Sequence, residues 1–145
     1  MALALLAALA LASTPVAPPS GPEAAAAAFV EVFRAMDEAR FDAFFAPEVT
    51  MFFPDGPFPR ERVNGREAVL SAFHSFFARV RERGRTRLNI APLDQLIQHH
   101  GDVAIVSFKL DSDGAVGRRS VILRRIGGAW RIVHFHASTI ENQVR

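Results

Sequence analysis

This chain of 145 residues contains no cysteine, no tyrosine and one tryptophan, and all seventeen of its basic residues except Lys109 are arginine. Without cysteine there are no disulfides, no thiol nucleophile and no thiolate metal site, and the redox compartment is left open. Without tyrosine there is no phenol to serve as an oxyanion donor in an active site. With neither residue present, almost nothing titrates between histidine and arginine. The formal net charge at pH 7 is only +2. The densest basic run is Arg79, Arg81, Arg83, Arg85 and Arg87, and no aromatic ladder is interleaved with it. Nucleic acid is therefore a poor partner. The run reads as a helix C-terminus complementing its dipole, followed by a solvated strand entry.

Long apolar runs are also scarce. Met1 to Ala12 is nearly all Ala and Leu, about a dozen residues, too short to cross a hydrocarbon core of roughly 30 Å but suited to a signal-peptide core. Ala10-Leu11-Ala12 fits the small-x-small cleavage pattern, although no Lys or Arg precedes the apolar run. Residues 1–20 are read as a signal peptide and Pro-rich leader, residues 21–145 as one domain, and the protein as exported, periplasmic or secreted, with no stable membrane span.

What the chain has in abundance is phenylalanine, thirteen in all, most of them between Phe29 and Phe77. Ser20 and Glu23 have capping-box spacing, and the helix they predict carries Phe29, Val32, Phe33 and Met36 as one apolar stripe. Arg40 to Phe45 reads as a second short helix and Val49 to Phe53 as a brief strand. Asn64 reads as the N-cap of a long helix with Val69, Phe73, Phe76, Phe77 and Val80 on one face, closed by Gly84. His74 flanks that stripe and reads as locally bonded. Thereafter the period is two. Arg87–His99, Val103–Leu110, Val116–Ile126 and Trp130–Ser138 form an antiparallel meander, with Pro92 predicting an edge or a bulge in the first strand. Helices on one side of an antiparallel sheet give an α+β architecture.

The last strand, W-R-I-V-H-F-H-A-S, is the most informative stretch. Alternation places Trp130, Ile132, His134, His136 and Ser138 on one face, and Arg131, Val133, Phe135 and Ala137 on the other. Histidines two apart on a strand are about 6.6 Å apart and both could reach one ion. Zinc would need a third protein ligand, available only from His99, His100 or a carboxylate. The chain is read as holding no metal and no cofactor, its two imidazoles bonded to neighbouring strands or to a second copy.

With A-P-E-V-T-M-F at Ala46–Phe52, G-R-E-A-V-L at Gly65–Leu70, G-D-V-A-I-V at Gly101–Val106 and the terminal motif, the chain resembles the NTF2-like, SnoaL-like cone fold. The terminal motif is similar to that of the calcium/calmodulin-dependent kinase II association (hub) domain. The resemblance implies a strongly curved antiparallel sheet wrapped over three helices, a pocket inside the cone, and a homodimer packed through the outer sheet face. It implies no single reaction, since relatives include isomerases, cyclases, dehydratases and assembly modules.

Three functions follow as expectations: binding of a small apolar or weakly acidic molecule in the cone, a dimerisation module like the hub, or a small lyase, isomerase or cyclase. Asp94 and His136 are the candidate bases. Trp130, His134, His136, Arg119 and Phe73 are the pocket candidates, within an aromatic lining that also includes Phe29, Phe33, Phe76 and Phe77. Of Arg118, Arg119, Arg124, Arg125 and Arg131, any that face inward would offer a carboxylate a bidentate fork. The hub relatives bind small carboxylates through such arginines. Their motif continues H-F-H-R-S, whereas here Ala137 follows His136 and Leu110 stands near a second arginine position.

Overall fold

A computed structural model describes residues 18–140. The expected signal peptide lies outside them, apart from Pro18, Pro19 and Ser20. Three helices, α1 (Pro22–Ala35), α2 (Glu38–Asp42) and α3 (Arg66–Glu82), accompany six strands: β1 (Phe45–Phe52), β2 (Val63–Asn64), β3 (Ile90–His100), β4 (Val103–Ser112), β5 (Ala115–Ile126) and β6 (Ala129–Thr139). The strands form one curved sheet in the order β2-β1-β6-β5-β4-β3. The α+β cone expected from the sequence is the observed fold. Three hairpins build β3 to β6, and β1 joins β6 in parallel. None of the described helices is long and apolar enough to cross a membrane.

Local boundaries differ from the sequence reading in instructive ways. Gly21 and Gly65, not Ser20 and Asn64, are the N-caps of α1 and α3, without side-chain capping. Asn64 is taken up by β2, where its Oδ1 accepts from Arg62 Nε at 3.0 Å. The second helix begins earlier than expected because Asp37 caps it, accepting from the Arg40 amide. Phe45, expected in that helix, instead opens β1. Gly84, at a φ of +77°, closes α3 as expected.

Both predicted helical stripes pack against the concave face of the sheet. Phe41, fully buried, is their meeting point. Its ring centroid lies between 4.9 and 5.6 Å from those of Phe29, Phe33, Phe45, Phe73 and Phe77. These separations suit favourable aromatic pairing on top of the area buried.

Strand β6 departs most from simple alternation. Leu123 of β5 faces Ile132 and Ile122 faces His134, so Val133 is an extra residue, a bulge. The bulge resets the alternation. Trp130 and Ile132 are buried with Phe135 and Ala137, while His134 and His136 turn to the convex face. The expected grouping of Trp130 with both histidines is thus corrected: one inserted residue divides them between two faces. Pro92 behaves as expected, since β3 is an edge strand with a bulge between Leu93 and Leu96, where Asp94 takes a φ of +54°.

Candidate functional site

Beneath the concave face lies a cavity of about 90 Å³, walled by Phe33, Phe53, Phe58, Phe73, Phe76 and Phe135 with Met51, Leu88, Ile90 and Leu110. Two polar side chains line it, Ser112 and Arg119. Arg119 points inward because it shares the parity of Gly117, Val121 and Leu123, all buried on β5.

The guanidinium is anchored at one end. Its Nη1 donates to the carbonyls of Arg118 at 2.8 Å and Ser138 at 3.2 Å. No carboxylate among the described residues pairs with it, and burial lowers its pKa from the ordinary arginine value. A cation held among aromatic walls with only carbonyl partners is underpaired, because desolvation is offset mainly by an opposite charge. Nε and Nη2, the edge that can grip a carboxylate side-on, have no protein partner among the described residues.

Gly117 makes this possible. A Cβ there would lie 2.5 Å from Arg119 Nη1 and 2.6 Å from the Ser138 carbonyl oxygen. The arginine therefore folds back across a position that only glycine leaves empty. The sequence reading missed Gly117, although an isolated glycine within a strand signals a close approach of this kind. It also missed Ser112, Phe53 and Phe58, which lie in a strand end and a loop without periodic pattern.

Of the predicted pocket residues, the structure brings Arg119 and Phe73 together in this cavity. Phe33 and Phe76 join them, whereas Phe29 and Phe77 belong to the core behind. Trp130 lines a separate surface cleft with Ala24, Ala28, Phe44 and Arg131, between α1 and the start of β6. His134 and His136 stand on the opposite side of the sheet from the cavity. Asp94 is not among its lining residues either: its side chain is 78% exposed at the β3 bulge, 3.3 Å from Lys109. No carboxylate and no imidazole stands among the cavity's lining residues. Arg124 and Arg125 are drawn off by Glu48 and Asp102. His74 bonds Asp42 at 2.8 Å, a tie between α3 and α2.

On the convex face Thr50 Oγ1 lies 2.8 Å from His134 Nδ1. Burial, followed by the nearby charges of His136 and Arg62, lowers the His134 pKa. Among the described residues, no group of three or more His, Asp or Glu side chains is placed to hold a metal ion.

A sequence profile of the SnoaL-like domain matches residues 23–141. The chain belongs to the SnoaL-like family. No curated protein matches this SnoaL-like chain. Among solved structures, it is similar to a Thiobacillus denitrificans ATCC 25259 protein assigned as a calcium/calmodulin-dependent protein kinase type II association domain. That pair shares 28% identity over 88% of this chain and 100% of the other, with a TM-score of 0.62. A Parabacteroides distasonis ATCC 8503 protein assigned as a ketosteroid isomerase is 17% identical, with a TM-score of 0.67 over 83% of this chain and 88% of that one. A Streptomyces avermitilis NTF2-like protein assigned as a dehydratase is 18% identical, with a TM-score of 0.66 over 81% and 93%. At those identities the last two establish the shared NTF2-like fold alone.

Proposed function

We propose that this SnoaL-like protein binds a small monocarboxylic acid with a compact apolar body, the carboxylate on Arg119 and the body against Phe73, Phe33 and Phe76. One observation carries the reading: an arginine without a carboxylate partner among the described residues, half-buried in a cavity whose only other polar lining side chain is Ser112. An anionic ligand would supply the missing charge through a bidentate pair in a site of low polarity. Binding is preferred to proton-transfer chemistry because neither candidate base, Asp94 or His136, lines the cavity. A thermal-shift screen tests it. Butanoate and benzoate should raise the melting temperature, and butanamide and benzamide should not; equal shifts, or none, would reject the reading.

The convex face supports a second, compatible role as a homodimer interface. Two registered rows cross it, Leu96, Ser107, Ser120, His136 and Phe52 beside Gln98, Ile105, Ile122, His134 and Thr50. None of these residues is a carboxylate, lysine or arginine, and Leu96 is 57% exposed. Lys109, Arg118, Arg124 and Glu48 stand at the margins. An uncharged centre within a charged rim is the usual anatomy of an interface. The association-domain assignment of the Thiobacillus protein favours this reading. Sedimentation of the wild type and Leu96→Glu tests it, with a dimer and a monomer as the expected species. Export is likewise our reading, resting on the apolar Met1–Ala12 run, and cell fractionation tests it.

A further inference from the structure

The two histidines that the Val133 bulge turns outward have no part in the inner cavity. We infer that His134 and His136 form a two-imidazole chelate for a divalent transition-metal ion, Cu²⁺ before Zn²⁺, on the convex face of the sheet.

The placement comes from the strand. Residues i and i+2 on one face are about 6.6 Å apart at Cα, close enough for two imidazoles to converge on one ion with metal–nitrogen bonds of about 2.0 Å. Both rings lie over the neighbouring strand β1. His134 faces Thr50 and His136 faces Phe52 in the β1–β6 register. The Phe52 ring centroid is 5.6 Å from that of His136 and 6.4 Å from that of His134. The Phe52 ring thus packs near both imidazoles.

Thr50 sets the tautomer. In the ligating form His134 Nδ1–H donates to Thr50 Oγ1 across their 2.8 Å separation, which leaves the Nε2 lone pair directed away from β1. A hydrogen bond to the far nitrogen of a ligating histidine is the usual device for fixing ring orientation and raising basicity. Among the described residues, His134 Nε2 and both ring nitrogens of His136 have no hydrogen-bond partner, and His136 is exposed.

The donor set selects the ion. Two neutral imidazoles and no thiolate or carboxylate do not complete a structural zinc site, in keeping with the absence of any three-residue cluster. They suit an ion that accepts two nitrogens in a square plane and completes its sphere with water, and Cu²⁺ heads the affinity order for such ligands. Arg62, held by Asn64, is the cation near His134. It opposes the metal's charge but also favours the neutral, ligating imidazole. If two copies meet through this face, the same pairs could share one ion across the twofold axis.

Titration of the untagged full chain with Cu²⁺ against glycine as competitor, followed by electron paramagnetic resonance, tests the site. The expected result is one ion per chain, or one per two chains, with at least two imidazole nitrogens bound. Affinity should fall at least tenfold in His134→Ala and in His136→Gln, and should not change in a His99→Ala/His100→Ala variant. Circular dichroism of each variant separates loss of the site from loss of the fold, and the exposed His136 provides the variant least able to disturb folding. Fewer than two bound imidazoles, or equal affinity in wild type and His136→Gln, would overturn the assignment. Neither result bears on the Arg119 cavity, because the two sites lie on opposite faces of the sheet.

Discussion

The guanidinium of Arg119 lies across Gly117, in space that a Cβ at 117 would enter at 2.5 Å from Nη1 and 2.6 Å from the Ser138 carbonyl. Gly117→Ala should therefore act twice. Part of the clash is with backbone, which cannot swing aside as a flexible side chain would, so a stability loss of about 1–3 kcal/mol is expected, as for other overpacked interiors. The displaced guanidinium should also lose its grip on a carboxylate. Denaturant unfolding and a butanoate thermal shift measure the two effects.

Arg119→Met should show the opposite balance. Among the described residues no opposite charge offsets the desolvation of this half-buried cation, so replacing it with apolar bulk should cost little stability. The variant should melt at or above the wild-type temperature while losing the carboxylate response. A clear drop in melting temperature would mean that the bonds to the Arg118 and Ser138 carbonyls hold the fold, and that the arginine is structural.

Phe41 tests the core itself. It is fully buried at the junction of both helical stripes, stacked on Phe29 and Phe33 and meeting Phe45, Phe73 and Phe77 in tilted or edge-on contacts. Phe41→Ala should cost about 3–5 kcal/mol, the usual range for removing a buried aromatic ring. Equilibrium unfolding in urea would measure it.

His134 gives the protein a pH dependence. Its pKa in the folded state lies below the ordinary value of 6.5, chiefly because the ring is partly buried. The unfolded chain then binds more protons near that pH, so stability rises with pH. The contribution is present in full above about pH 6.5 and is lost as pH falls through the lower folded value. Melting temperatures between pH 7.5 and 5 should decline, and His134→Gln should flatten part of that slope. Glu23 and Asp113, whose carboxyls are lowered by the Glu23 amide and by Arg85 respectively, act in the same direction at lower pH.

Much of the architecture was legible because periodicity reports it directly. The stripes on α1 and α3, the three hairpins and the Pro92 irregularity follow from spacing and from the chemistry of glycine and proline. The site was harder to read, because which face of β6 looks inward depends on a single inserted residue. Val133 is a good strand residue, and nothing in W-R-I-V-H-F-H distinguishes a bulge from continued alternation. Once it bulges, Phe135 enters the core and both histidines leave it. Arg119 was legible as a candidate but not as the inward one, since four other arginines share its neighbourhood. Gly117 provided the missing signal.

The bulge makes its own prediction. Deleting Val133 would restore strict alternation and drive Phe135 and Ala137 to solvent while turning His134 and His136 into the aromatic core, since a one-residue slip exchanges the faces of a strand. The deletion should abolish folding, whereas Val133→Thr, which keeps the inserted residue, should fold. Circular dichroism and solubility of the two variants check this.

The most direct test of the central claim is calorimetric titration of the wild type and Arg119→Met with butanoate and with butanamide, which are nearly matched in shape and differ in charge. Butanoate should bind the wild type at least tenfold more tightly than butanamide, and that preference should vanish in Arg119→Met. Equal binding of acid and amide by the wild type, or an acid preference that survives the loss of Arg119, would contradict the account.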